Sequence, residues 1–257
     1  MEEEIALETS QLTVNYGQVP ALWDIFLKIP AKQLVGIIGP NGAGKSTLIK
    51  AALGLIKTLS GKVEFFGHPL AKIRQRIAYV PQRESVDWDF PINVRDLVLM
   101  GRYGRLGLFR RPRQADRAAV HEYLKLVGME RFADRQIRQL SGGQQQRVFL
   151  ARALIQEADI YLMDEPFAGI DLGTRSAIMD LLQQLKMQGK TVFVVHHELD
   201  QMKSHFDWVV MLNIRLVASG PVEQALTPET LEAAYGKSSA LFDEALKLSQ
   251  HKTTGYP

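Results

Sequence analysis

Cysteine is missing from all 257 residues of the chain. That absence excludes disulfides, zinc–thiolate centres and cysteine nucleophiles, and it suits a cytoplasmic setting. Long apolar runs are missing too. The longest, such as Gln33–Ile38 and Thr191–Val195, have the length of strands, far short of the roughly 20 apolar residues of a membrane-spanning helix. A membrane role would therefore be exerted from the aqueous side, through a partner. The opening segment MEEEIALETSQ is acidic and lacks an apolar core, so no secretory signal is expected in it. Internal repeats and low-complexity tracts are absent, and so is a strong charge of either sign: 31 Lys and Arg face 28 Asp and Glu, a net +3. Mild basicity permits contact with nucleic acid or anionic headgroups without demanding either. A composition 46% hydrophobic and 23% charged excludes a disordered chain. The length fits one large domain, or a core with a lobe.

What is present is an alternation of strands and helices. LTVNY (12–16) and WDIFLKI (23–29) read as strands separated by turn residues. QLVGIIG (33–39) is a continuous apolar strand ending in glycine, and a helix is expected from Ser46 to about Leu55. GKVEFFG and RIAYV follow as strands. From Ile92 to Ile155 the pattern turns helical: Asn93 is a candidate N-cap with Asp96 three residues on, a second helix ends at Gly128, and a third spans Ser141–Ile155. Alternation then resumes with the strand DIYLMD, a helix over 174–188, the strand TVFVV, a helix from Leu199, and the strands DWVVML and RLVAS. Solid apolar strands of this kind belong to parallel sheets covered on both faces. The chain reads as an α/β core interrupted by a helical lobe, with one amphipathic helix (Leu241–Leu248) in the tail after Gly236.

Three stretches carry chemistry. Gly39, Pro40, Asn41, Gly42, Ala43, Gly44, Lys45, Ser46 and Thr47 match G-x-x-x-x-G-K-[ST] between an apolar strand and a helix. Glycines let backbone amides turn inward around phosphate oxygens, and the helix N-terminus favours negative charge. Lys45 can reach β- and γ-phosphates, and the Ser46 hydroxyl can ligate Mg²⁺. The strand ending in Asp164 and Glu165 offers two carboxylates that point different ways, because a strand alternates its side chains. One can serve the Mg²⁺ shell and the other the attacking water. Leu140-Ser141-Gly142-Gly143-Gln144-Gln145-Gln146-Arg147 places a hydroxyl and free amides at a helix start, a second anion-binding device.

That octet closely resembles the signature motif of ATP-binding-cassette (ABC) transporter ATPases, and the family's other motifs follow in order over roughly Ile5–Gly236. By this resemblance Tyr16 stacks on adenine, Gln82 is the glutamine of the loop linking nucleotide to lobe movement, and Gln82 joins Ser46 and Asp164 around Mg²⁺. Glu165 polarises the water, Ala168–Asp171 is the D-loop, and His197 is the switch histidine, with His196 as its alternative. Two departures stand out: the D-loop begins with alanine instead of serine, and the switch reads His196-His197-Glu198. The resemblance implies a P-loop (RecA-like) nucleotide-binding α/β core with an N-terminal antiparallel β region and an inserted α-helical signature subdomain. Its boundaries are expected at 1–236 for the cassette (core 1–85 and 156–236, helical subdomain 86–155) and 237–257 for a C-terminal helix and tail. It also implies a head-to-tail homodimer in which each ATP lies between one chain's phosphate loop and the other chain's Ser141–Gln144.

The segment between Gln82 and the signature is too short for the coiled coil of DNA-maintenance cassettes. Importer motors are therefore the leading resemblance, ahead of soluble cassettes of iron–sulfur assembly. Arg83–Pro91, with Trp88, Asp89 and Phe90, and Met100–Pro112 resemble the importer family for manganese, zinc and iron(II); siderophore and haem importers are the alternatives. The implied partners are an integral membrane permease and, indirectly, a substrate-binding protein, at the cytoplasmic face of the membrane. Nucleic acid is not expected as a partner. The groove after Gln82, with Trp88 and Phe90 burying area and Asp89 pairing a permease helix's charge or N-terminal amides, is the expected permease contact; the alternative is that Trp88 and Phe90 fill the lobe's own core. Arg102, Arg105, Arg110, Arg111 and Arg113 could meet the permease, lipid headgroups or solvent.

Overall fold

Strands rich in β-branched and aromatic residues set the frame. In chain order they are β1 (Ile5–Tyr16), β2 (Val19–Pro30), β3 (Leu34–Ile38), β4 (Ser60–Phe65), β5 (Ile77–Val80), β6 (Ile160–Met163), β7 (Thr191–Val195), β8 (Trp208–Asn213) and β9 (Arg215–Pro221). The longer helices are α1 (Lys45–Ala52), α2 (Val94–Leu99), α3 (Gln114–Leu126), α4 (Gly142–Leu154), α5 (Leu172–Met187) and α6 (Pro228–Tyr235). The computed structural model describes residues 3–107, 110–196, 199 and 202–236. The tail helix expected at Leu241–Leu248 lies outside them. The chain divides into two compact units, one of residues 1–73 with 193–257 and one of residues 74–192.

In the first unit β1 pairs antiparallel with both β2 and β4, giving the order β2-β1-β4. The β1–β2 connection is a two-residue turn opened by Gly17 at φ 62°. β3 and β8 pair in parallel, Val35 opposite Trp208, and β9 returns antiparallel along β8. Every residue of β3 is buried, which is why it reads as a continuous apolar run without alternation. Its entry is tied by the Asp207 carboxylate, which accepts from the Leu34 amide at 2.9 Å. α6 begins with Thr227 as N-cap and Pro228 in the first turn. That Thr-Pro-Glu signature is a standard helix start, and the element was not among the expected helices.

In the second unit β5 and β6 pair in parallel, Ile77 opposite Ile160. α2 starts as expected, with Asn93 Oδ1 accepting from the Asp96 amide at 2.8 Å. α3 and α4 bury Val120, Leu124, Val148, Phe149 and Leu150. The motifs drew a helical subdomain over 86–155, and β5 and β6, which flank that stretch in sequence, pair with one another within this unit. Two of the five lobe arginines are used internally. Arg102 pairs with Asp116 at 3.3 Å and with Glu157 at 3.1 Å, and Arg105 pairs with Glu157.

Candidate nucleotide site

The phosphate loop belongs to the first unit. Gly39, Gly42 and Gly44 hold φ of 146°, 81° and 93°, a conformation that a Cβ disfavours. Gly39 and Gly44 also have no room for one. A methyl on Gly39 would stand 2.1 Å from the Leu212 carbonyl oxygen, and one on Gly44 would stand 2.4 Å from that of Ala21. The Ala43 amide closes a turn onto the Pro40 carbonyl at 3.1 Å. α1 starts from Gly44 without a side-chain cap hydrogen bond, and its N-terminal end favours an anion. Lys45 is buried to 6% exposure, and its ammonium donates to the carbonyls of Gly39 at 2.8 Å and Pro40 at 2.9 Å. Ser46 is half-buried and Asn41 exposed. Tyr16 ends β1 with its ring 53% exposed, open to stacking.

His196 is buried, with its ring tilted onto Phe206 at 5.6 Å between centroids. Its amide donates to the Ile37 carbonyl at 3.1 Å. His197 and Glu198 lie outside the described residues.

The carboxylates and the signature belong to the second unit. β6 delivers Asp164 fully buried, its amide bonded to the Val80 carbonyl at 2.9 Å. Burial, together with the Asp164 charge, pushes the Tyr79 hydroxyl well above its ordinary range. Glu165, half-buried, sits at φ 53°. A non-glycine residue in that region is uncommon and is a known mark of functional turns. Its carbonyl accepts from the Ala168 amide at 3.2 Å, closing the turn that leads to Asp171. The exposed Asp171 carboxylate caps α5, accepting from the Thr174 amide at 3.0 Å. That bond and further hydrogen bonds hold its pKa below the usual carboxylate range.

Ser141 caps α4 in a reciprocal box. The Ser141 amide donates to Gln144 Oε1 at 2.9 Å, and the Gln144 amide donates to Ser141 Oγ at 3.4 Å. Gly142 and Gly143 then bring two neighbours close. A Cβ on Gly143 would stand 3.0 Å from the Gly169 carbonyl oxygen, and one on Gly142 would stand 3.0 Å from the Arg83 guanidinium. Arg83 was not among the expected site residues. It follows Gln82, which caps a short turn, and its Nε donates to Gln145 Oε1 at 3.2 Å. Trp88 Nε1 donates to the Arg83 carbonyl at 2.9 Å, and the Trp88 ring meets Phe149 edge-on at 5.2 Å. Trp88, Phe90, Ile92, Leu97, Ile137 and Phe149 line an apolar cavity of ≈ 250 Å³. Trp88 is thus a wall of this cavity, whereas Phe90 is 58% exposed.

A glycine cradle with a buried lysine, a strand ending in two acids and a capped Ser-Gly-Gly helix define a nucleotide-hydrolysing cassette, and the chain belongs to the ABC transporter family, which matches residues 22–168. It is 54% identical over 246 residues to the manganese transport system ATP-binding protein MntB of Bacillus subtilis, covering 96% of this chain and 98% of the relative. It is 53% identical over 248 residues to the zinc transport system ATP-binding protein TroB of Treponema pallidum, covering 96% and 93%. Among solved structures, a dimeric ATP-binding cassette in a post-hydrolysis state with ADP and phosphate matches at 30% identity and TM-score 0.74, over 84% of this chain and 98% of that one. The chain is therefore an ATPase subunit of a transport system, and ATP is its substrate. Membership implies a membrane permease and a pairing of cassettes. No helix among the described residues is long and apolar enough to cross a membrane.

Proposed function

We propose that the chain is the motor of an importer for a divalent metal cation, manganese or zinc, docked from the cytoplasmic face on a permease that receives cargo from a substrate-binding protein. The observation that carries the cargo is near-full-length likeness to the manganese and zinc transport subunits. Those relatives favour import over the iron–sulfur assembly alternative. Within the motor, Tyr16 stacks on adenine and Gly39–Thr47 wraps the phosphates, with Lys45 neutralising their β- and γ-oxygens. Ser46, Gln82 and Asp164 supply a hydroxyl, an amide oxygen and a buried carboxylate, an all-oxygen donor set that suits Mg²⁺. When bound, that ion neutralises phosphate charge. Glu165 polarises the attacking water, and His197 contacts the γ-phosphate.

The second copy contributes Ser141–Gln144. The amides of Gly142 and Gly143 have no cap of their own, because the Ser141 hydroxyl serves the Gln144 amide, so they suit a γ-phosphate. Asp171 belongs to the same pair interface. The cavity beside Trp88 and Phe90 takes a short cytoplasmic helix of the permease. Its apolar walls are bordered by one acid, Asp87, and one base, Arg152, so the fit to the helix rests on apolar burial. A strain lacking this chain and redundant importers should accumulate less manganese or less zinc than its parent in depleted medium, with iron as control. Unchanged uptake of all three metals would remove the cargo assignment and leave the ATPase intact.

A further inference from the structure

Ile214 is the one residue between the paired positions Asn213 and Arg215 where β8 turns into β9. It holds φ 62°. For a β-branched side chain this is a genuine outlier, since Cβ and its branches crowd the backbone there. Glycine or asparagine would occupy such a turn without that cost. Strain of this kind persists only where the surroundings over-determine the conformation, and it concentrates at functional sites.

The surroundings do over-determine it. Ile214 is 5% exposed and packs with Trp23, itself 6% exposed. Its carbonyl accepts from the Trp23 amide at 2.8 Å, and its own amide donates to the Ala43 carbonyl at 3.0 Å. One residue before it, the buried Asn213 side chain donates to the Ala234 carbonyl in α6 at 3.1 Å. The same turn presents the Leu212 carbonyl against Gly39. Both ends of the phosphate loop therefore rest on Leu212–Ile214.

The bond to Ala43 has a directional consequence. In a planar trans peptide the C=O and N–H point in opposite directions. Holding the Ala43 carbonyl toward Ile214 therefore turns the next amide, that of Gly44, to the opposite side of the loop. We propose that Ile214 is a positioning residue for nucleotide: its amide fixes the Ala43–Gly44 peptide so that the Gly44 N–H is aimed into the phosphate cradle before nucleotide arrives. Isoleucine serves where glycine would be relaxed because its side chain, clamped on Trp23, keeps the amide in place. The inference rests on the reading of Gly39–Thr47 as the phosphate-binding loop.

The test replaces Ile214 by its α-hydroxy-acid analogue, which exchanges the N–H for an ester oxygen, with Ile214→Gly as a second variant that keeps the N–H and loses the side-chain packing on Trp23. ADP and ATP affinities of the purified chain are measured by calorimetry, with the ³¹P resonance of the ADP β-phosphate and the melting temperature alongside. The ester variant should bind ADP and ATP about fivefold more weakly, as expected for one lost hydrogen bond. KM for ATP should rise in step while kcat stays within about twofold, because the phosphate grip is shared by ground and transition states. The β-phosphate resonance should move. A residue that only supports the fold would lower the melting temperature and leave affinity and resonance where they were in the folded protein, and that result overturns the inference. If the ester variant does not fold, Ile214→Gly decides: ADP affinity equal to that of the parent chain overturns the inference, and an affinity about threefold weaker supports it. Failure of the unmodified chain to bind ADP would instead sink the phosphate-loop reading itself.

Discussion

Truncating Phe90 and truncating Trp88 should have opposite consequences, although the two residues line one cavity. Phe90 is 58% exposed in the isolated chain, so Phe90→Ala gives up the smaller part of its burial and should cost stability about 1 kcal/mol. Full burial of a phenylalanine is worth about 2–3 kcal/mol. Somewhat more than half of it remains to be gained on docking, which leaves about 1–2 kcal/mol for a permease helix. Phe90→Ala should therefore weaken the subunit's affinity for the membrane complex about five- to thirtyfold. Trp88 is half-buried and already holds contacts within the lobe. Trp88→Ala removes an edge-on aromatic pair with Phe149, worth about 0.5–1.5 kcal/mol. It also removes the hydrogen bond to the Arg83 carbonyl, worth about 1 kcal/mol, and part of an indole's burial. The sum is about 2–4 kcal/mol, a fall of about 5–15 °C in Tm for a chain of this size. Thermal melts of the purified variants, with titration of labelled subunit onto the permease in nanodiscs, measure both effects. Equal destabilisation by the two substitutions, or unchanged docking of Phe90→Ala, would refute the reasoning.

Lys45→Ala should weaken ATP binding about 10- to 100-fold, the scale of a lost charge-assisted contact, as read by nucleotide titration. Glu165→Gln should bind ATP normally, lose about 10²–10⁴ in kcat and accumulate as a closed dimer with ATP in light scattering; hydrolysis at the parent rate would show that another group is the base. For acid stability, burial pushes the Asp159 pKa up, but hydrogen bonds from Arg76 at 2.7 Å and Lys190 at 2.9 Å outweigh it and hold the carboxyl below its ordinary range. A depressed carboxyl stabilises the fold above its unfolded pKa and loses that contribution as pH falls through the folded one. Stability should thus fall between about pH 5 and pH 3 by a larger step in the parent than in Asp159→Asn, the difference being less than about 1 kcal/mol since the pair is partly solvated; identical pH profiles of the melting temperature would dismiss the pair.

The phosphate loop and the signature were legible because their chemistry is local. Glycine at Gly39 and Gly44 is required by backbone angle and by carbonyls that approach closely, and the Ser141 cap needs only Gln144 three residues on. β3 was legible for the opposite reason, total burial leaving an unbroken apolar run. α6 was missed although Thr227 and Pro228 announce its start, because no long apolar stripe follows in only two turns. The positive φ of Ile214 could not be read, since nothing about isoleucine favours it; the tertiary clamp of Trp23 and Ala43 imposes it. Long-range pairing was likewise invisible. Arg102 and Arg105 looked like a surface cluster, and their partner Glu157 lies more than fifty positions away. The differing fates of Trp88 and Phe90, both in a turn segment, follow from a ring on α4, Phe149, that no local pattern links to them.

The parallel pairing of β3 with β8 has a consequence for how the chain is made. Leu34 and the carboxylate that holds its amide, Asp207, are 173 residues apart. On a ribosome adding about 5–20 residues per second, β3 emerges about 9–35 seconds before the strand that will lie beside it. During that interval a wholly apolar strand has no native neighbour at β8, an aggregation hazard of the kind met by unpaired edges. The unit of residues 74–192, by contrast, is one continuous stretch and is complete before β8 is synthesised. Its folding need not wait. Slowing translation after residue 192 should therefore lengthen the exposure of β3 while leaving that unit unaffected, and a chaperone that engages the nascent chain would be expected to release it only once β8 has emerged.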